Sequence, residues 1–250
     1  MDKLVIYPRN SGKRLEHTLK NQAEKSATKI QSKQDSSGGK DVVERLRSDI
    51  VSSVYEPESR LKFAELTKRY DVGIGTLREA LSQLASDGFV TLEAGKGFTV
   101  APVSREELIE ITAHFIDLEK RALADAIIHG DDEWEIQIVS AHYRLSKIEK
   151  LPWEERMELH SAWVERHRDF HHSLIAACQG KWLLKLRSLM FDQLDRYRFL
   201  TKMTRDGLGN RKFEEHRLIM EATLARDTDR AVQLTEEHFR DTSERVAPLL

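Results

Sequence analysis

Apolar side chains recur along this chain in distinct rhythms, and each rhythm predicts its own architecture. Val43, Leu46 and Ile50 fall on one helical face, and Pro57 ends that helix. Phe63, Leu66 and Tyr70 predict a second, short helix, followed by a turn at Asp71, Val72 and Gly73. Leu77, Leu81 and Leu84 predict a third helix that ends near Asp87, with Gly88 as its C-terminal stop. The period then shortens to two. Phe89 to Glu93 and Gly97 to Val100 alternate as short strands, joined by a tight turn at Ala94, Gly95 and Lys96. Three helices followed by a hairpin is the plan of a winged helix.

From residue 103 onward the rhythm is helical only. Ser104 and Glu107 form a capping box that opens a long helix with Leu108, Ile111, Phe115, Leu118 and Ala122 along its face. Gly130, Asp131 and Asp132 end it. Further helices are expected over roughly 133–150, 154–178, 181–202, 210–225 and 228–246, punctuated by Pro152, Gly180 and Gly207 to Gly209. Amphipathic helices with short connections imply an antiparallel all-α bundle. Residues 1–40 have no such rhythm. They are rich in Lys, Ser, Gln and Asn and close on Ser36, Ser37, Gly38 and Gly39, the composition of a flexible tail. A weak helix between Leu15 and Ile30 and a basic arm against DNA phosphates are both open there. The chain thus divides into a tail (1–40), a winged helix-turn-helix (41–102) and a helical domain (103–250), mainly α overall.

Charge narrows the functions this plan can serve. The 250 residues carry a formal net charge of −2, so DNA binding has to rely on local charge and dimer geometry. The tail holds nine Lys/Arg against four Asp/Glu; the winged segment holds eight against ten. Cys178 is the only cysteine, which rules out an intramolecular disulfide and fits a cytoplasmic protein. No apolar run reaches the roughly 20 residues that span a bilayer, so no membrane partner is expected.

In a helix-turn-helix the second helix lies in the major groove and reads bases with its leading end. Here that end runs from Gly73 to Arg78. With Leu77 and Leu81 turned to the core, Thr76 and Arg78 face the duplex, and Gly75 lets the backbone approach phosphate. Arg78 suits a guanine edge or a phosphate. Lys96 and Gly97, at the hairpin tip, suit the minor groove or a phosphate. These segments resemble the winged helix of the GntR family: Leu61 to Val72, Thr76 to Leu84, Asp87 to Val90, and Gly95 to Val100. The resemblance implies a DNA-binding transcription regulator. The family usually begins its recognition helix Val-Ser-Arg-x-Pro-Val-Arg. Gly73 and Ile74 replace the usual hydroxyl and first arginine, and Ala64 replaces another arginine in the preceding helix. The fold is unaffected; the usual operator sequence is not implied.

The ten histidines supply the second constellation. His167 and His171 are four apart on one expected helix and point the same way. His216 lines up with Phe213 and Met220, and His238 with Ala231 and Leu234, so three helices can converge four imidazoles inside the bundle. Each histidine alone is better explained by a hydrogen-bonded core position. As a set they resemble the FadR-type sensing domain (FCD) of the same family, through Phe170-His171, Leu174, Glu214 to Arg217, Ile219, Ala231 and His238. That resemblance implies a divalent metal on His171, His216 and His238. Its fourth ligand, an Asp, is His167 here. Imidazole at that spacing still reaches one ion, and an all-nitrogen set favours Zn or Ni.

Losing the carboxylate makes the site one unit more positive, which suits an anionic effector. Further segments, among them Gly130 to Glu135 and Arg196 to Phe199, are similar to regulators of short-dicarboxylate catabolism. A small organic acid such as glutarate is therefore implied. An arginine common in the family, four residues before Glu119, is Phe115 in this chain; Arg196 and Arg198 are candidate substitutes for effector binding. Together these features predict a homodimer on a pseudo-palindromic double-stranded operator, most simply a repressor, released when an effector tilts the helix after Ser104. A regulator that senses the ion itself is the alternative. A metal-dependent enzyme is disfavoured, because no His-Glu-x-x-His motif, nucleophile elbow or phosphate-cradling loop accompanies the histidines.

Overall fold

The computed structural model describes residues 41–200 and 208–250; the tail 1–40, with its expected weak helix and basic arm, and residues 201–207 lie outside the described residues. The order is α1 (41–51), α2 (Phe63–Tyr70), α3 (Ile74–Ser86), β1 (Val90–Glu93), β2 (Gly97–Val100), α4 (Arg105–His129), α5 (Asp132–Glu149), α6 (Trp153–Glu158), α7 (His160–Leu174), α8 (Lys181–Leu200), α9 (Leu208–Leu224), α10 (Thr228–Val246) and a closing 3₁₀ turn (Ala247–Leu249). Among the described residues no helix is long and apolar enough to cross a membrane.

The first three helices and the hairpin close one core around Leu46, Leu66, Leu77, Leu81, Leu84 and Phe89, each fully buried. Truncating one of these leucines to alanine costs about 2–5 kcal/mol. Helix α3 ends as its sequence requires. Gly88 adopts φ +80, Phe89 donates to the Leu84 carbonyl at 2.9 Å, and Gly88 donates to Ala85 at 3.2 Å. A residue with a Cβ resists that left-handed geometry. The strands pair antiparallel, with Val90 opposite Val100 and Glu93 opposite Gly97. Gly95 and Gly97 both take positive φ in the turn.

The remaining helices pack as a bundle. Helix α4 lies against α8 and α10, α5 against α7 and α9, and α9 against α10. The Ser104 hydroxyl accepts from Glu107 N at 3.1 Å and caps α4. The buried stripe of α4 is wider than its apolar spacing suggests. It includes Thr112, Ile116 and Glu119, while Ile111 and Leu118 are only half-buried. The expected helix 154–178 is two helices. It breaks at Leu159, where α6 ends, and α7 stops at Leu174. None of α6 is buried, so packing does not hold it in line with α7, whose inner face does point into the bundle.

Helix α8 also docks the winged helix. Arg47 of α1 bridges Asp87, the last cap of α3, at 2.9 Å and Asp192 of α8 at 3.2 Å. Gln193 donates to the Asp87 carbonyl at 2.8 Å, and Arg196 donates to the Ala101 carbonyl at 2.7 Å. Arg168 of α7 forks onto Asp192 and Asp195. Asp192 therefore joins the helix that carries His167 and His171 to α1, whose Arg47 also holds the end of α3.

Candidate metal centre and DNA-reading surface

At the expected DNA-reading end of α3, Gly73, Ile74, Gly75 and Arg78 are exposed and Thr76 is half-buried, while Leu77, Ala80, Leu81 and Leu84 face the core. A Cβ added at Gly73 or Gly75 would meet nothing within 4 Å, so neither glycine serves internal packing. The guanidinium of Arg78 stands 6.0 Å over the Phe63 ring, which holds it at the foot of α2. Lys96 is exposed at the wing tip beside half-buried Gly97, and its ammonium pairs with Glu93 at 2.6 Å. A phosphate has to compete with Glu93 for that lysine.

The histidine set converges. His167 and His171 of α7, His216 of α9 and His238 of α10 place one ligand nitrogen each within 4.8 Å of the others. All four are buried, at 0–3% exposure. Nδ1 of His216 faces Glu149 Oε1 at 2.9 Å, and Nδ1 of His238 faces Glu215 Oε2 at 2.9 Å. Each carboxylate accepts, so each ring keeps its proton on Nδ1 and presents Nε2 inward. His167 and His171 approach through their Nε2 atoms at 3.1 Å, so one ring donates to the other. Nε2 of His216 is buried and has no hydrogen-bond partner among the described residues. A buried acceptor without a partner is costly, and a cation would satisfy it. The donor set fits a divalent metal: four nitrogens of borderline softness, two of them oriented by carboxylates.

Burial favours the neutral form of His167 and His171, as ligation requires. Desolvation holds His167 and His171 well below the usual histidine pKa, and the neighbouring histidines and Arg198 push them lower. Desolvation, with Arg187 and Arg168 nearby, takes His172 down to about 4. Phe115, Phe191 and Phe239 form an aromatic floor, with Phe239 4.9 Å from the His171 ring.

The arginines are distributed differently from the sequence-based expectation. Arg196 is committed to Ala101 and Gln193 at the domain junction. Arg198 is buried over Phe191 and Phe239 and donates to Asp195 at 2.6 Å. The arginine that sequence reasoning missed is Arg187. It is 1% exposed, stacks 4.3 Å over Phe191, and forks onto the equally buried Glu119 at 2.5 and 2.9 Å. Its spacing held the signal. Arg187 lies four residues before Phe191 and four after Leu183, on an otherwise apolar stripe, and Glu119 interrupts the matching stripe of α4. Glu149 and Glu215 were missed as well.

A helix-turn-helix with a wing, held against a helical domain with a buried histidine cluster, is the architecture of a transcription regulator. Comparison with known proteins agrees. Residues 39–100 match the model for bacterial regulatory proteins of the gntR family, and residues 110–241 match the FCD domain. The chain is 37% identical over 199 residues to the uncharacterized HTH-type transcriptional regulator BphR of Paraburkholderia xenovorans (strain LB400), covering 80% of this chain and 81% of that protein. It is also 37% identical to the HTH-type transcriptional repressor GlaR of Escherichia coli (strain K12), covering 78% and 89%. Among solved structures, E. coli McbR/YncC superposes with a TM-score of 0.74 at 17% identity, covering 85% of this chain and 98% of that one. A putative GntR regulator from Rhodococcus sp. RHA1 gives 0.69 at 19%, covering 86% and 99%. This chain belongs to the GntR family of transcription regulators and carries an FCD domain.

Proposed function

We propose that this chain is a homodimeric repressor whose operator affinity is set by a small carboxylate bound beside a resident Zn or Ni ion. The observation that carries the reading is the burial of four imidazoles, from three helices, within 4.8 Å of one another. His167, His171, His216 and His238 would hold the ion. When bound, the metal supplies a positive charge that attracts an anionic ligand in a dry interior. Repression is supported by the 37% identity to a relative named as a repressor, and a dimer by the operator geometry of helix-turn-helix proteins.

The bundle suggests how an effector would act. Between α4, α8 and α10 lies a cavity of about 10 Å³, lined by Thr112, Tyr197, Arg198, Phe239 and Ser243. That is room for about one water, whereas small-molecule pockets measure roughly 300 Å³ or more. A dicarboxylate entering beside Phe239 has to part α4 from α10. The guanidiniums of Arg198 and Arg187 both disfavour the charged form of His171. Helix α4 begins just after the strand β2, so its tilt reorients the wing and the reader helix. Arg168 and Asp192 give a second route, from α7 to Arg47. The direction of the response follows from which domain arrangement the effector prefers.

The test is a thermal-shift screen of small carboxylates on metal-loaded, tag-free protein, followed by gel-shift titration with the hit. Stabilisation that requires the metal, together with weaker operator binding, is the expected result. A carboxylate that stabilises wild type and a His171→Ala variant equally contradicts it. DNA release by metal alone would move the signal to the ion.

A further inference from the structure

We infer that Glu149 supplies, from outside the ligand set, the negative charge that four neutral imidazoles lack, and that it positions His216 for the metal; the inference rests on the metal reading above. Glu149 is the last residue of α5 and is 1% exposed. Both facts disfavour a carboxylate. A helix C-terminus already carries partial negative charge, and a buried anion without a matched partner is costly. Its surroundings return little of that cost. Oε1 faces His216 Nδ1 at 2.9 Å and lies 3.4 Å from Trp163 Nε1, while Oε2 has no hydrogen-bond partner among the described residues. Trp163 in turn stacks on His167 at 4.8 Å. The carboxylate thus touches one member of the histidine set and reaches a second through Trp163.

Charge bookkeeping gives this position a purpose. Four neutral imidazoles leave a dication uncompensated at +2. A carboxylate that accepts the Nδ1–H of a ligand histidine makes the ring a better donor and spreads negative charge toward the ion. Glu215 has the same relation to His238, but its side chain is 20% exposed and its charge is screened by solvent. Glu149, fully enclosed, acts at lower effective dielectric and carries more of the compensation. A carboxylate kept for the metal has a distinctive consequence. Its neutral isostere should weaken the ion without weakening the fold.

The experiment titrates Co²⁺ against a chromophoric chelator on full-length, tag-free wild type, Glu149→Gln and Glu149→Asp, with melting curves of each metal-free protein. Expected are about one site per wild-type chain, affinity lowered about 10–100-fold in Glu149→Gln with a shifted cobalt absorption band, and partial recovery in Glu149→Asp. Metal-free Glu149→Gln should melt at or above the wild-type temperature, because a buried charge is gone. Wild type that takes up no Co²⁺ overturns the metal reading itself. Wild type that binds while Glu149→Gln binds equally, with an unchanged spectrum, overturns only the role of Glu149. Weaker binding accompanied by a lower metal-free melting temperature in both variants assigns Glu149 to the fold and likewise overturns the inference.

Discussion

At the leading end of α3, Gly73, Ile74, Gly75 and Arg78 stand exposed, with Ile74 at 54%, whereas His167, His171, His216 and His238 are 0–3% exposed. The first region is made by one helix. Periodicity alone decides which of its residues face outward, and the partners proposed for them belong to another molecule. The second region is made by three helices that meet, and its polar groups face one another inside the chain, with His216 Nε2 left without a hydrogen-bond partner among the described residues. Exposed groups in the first region are cheap to change for stability and expensive for recognition. Buried groups in the second are expensive for both, and that asymmetry can be measured.

The largest effect is expected from Arg187→Met, which strands Glu119 as an unpaired buried anion. Stability should fall by about 3–5 kcal/mol in urea denaturation. The isolated reader surface is untouched, so a variant that melts like wild type would remove Arg187 from the interior group. Acid is the next lever. His167, His171 and His172 are held neutral in the fold and take up protons near pH 6.5 when unfolded. Their contribution is present above that pH and is lost as pH falls toward the folded values. Metal-free protein should lose about 1 kcal/mol per histidine between pH 6.5 and 5.5. A flat stability profile over that unit contradicts the burial argument.

Arg78→Ala should leave the melting temperature within a degree or two and weaken operator binding by about 1–3 kcal/mol, roughly 5–150-fold. An unchanged gel-shift titration would remove α3 from the groove. Lys96→Ala is expected to act least, since Glu93 already holds its ammonium. Affinity should drop a few-fold on every sequence, with the salt slope reduced by about 1. A sequence-selective loss would mean that the wing reads bases.

These two regions also differ in how far they could be read from the chain. Leu77, Leu81 and Leu84 fix the inward face of α3, and Gly88 and Gly95 mark its end and the wing turn, so the winged helix follows from local rules. The grouping of His171, His216 and His238 was legible through family resemblance and spacing. The carboxylates around them were not, and Arg187 showed only as a charge on an apolar stripe, without its partner. Glu149 and Glu215 reach their histidines across 67 and 23 residues, and Arg187 reaches Glu119 across 68. No short-range pattern encodes such distances. The break at Leu159 was missed for a related reason. An exposed single-turn helix carries the same periodicity as the buried helix that follows it, and only packing separates them.

The central claim is that the convergent histidines hold a metal. Elemental analysis of full-length, tag-free protein purified without chelator tests it most directly. About one equivalent of Zn or Ni per wild-type chain, and little in His171→Ala, is the expected result. Less than about a tenth of an equivalent of any divalent metal in wild type, before and after reconstitution, would contradict it.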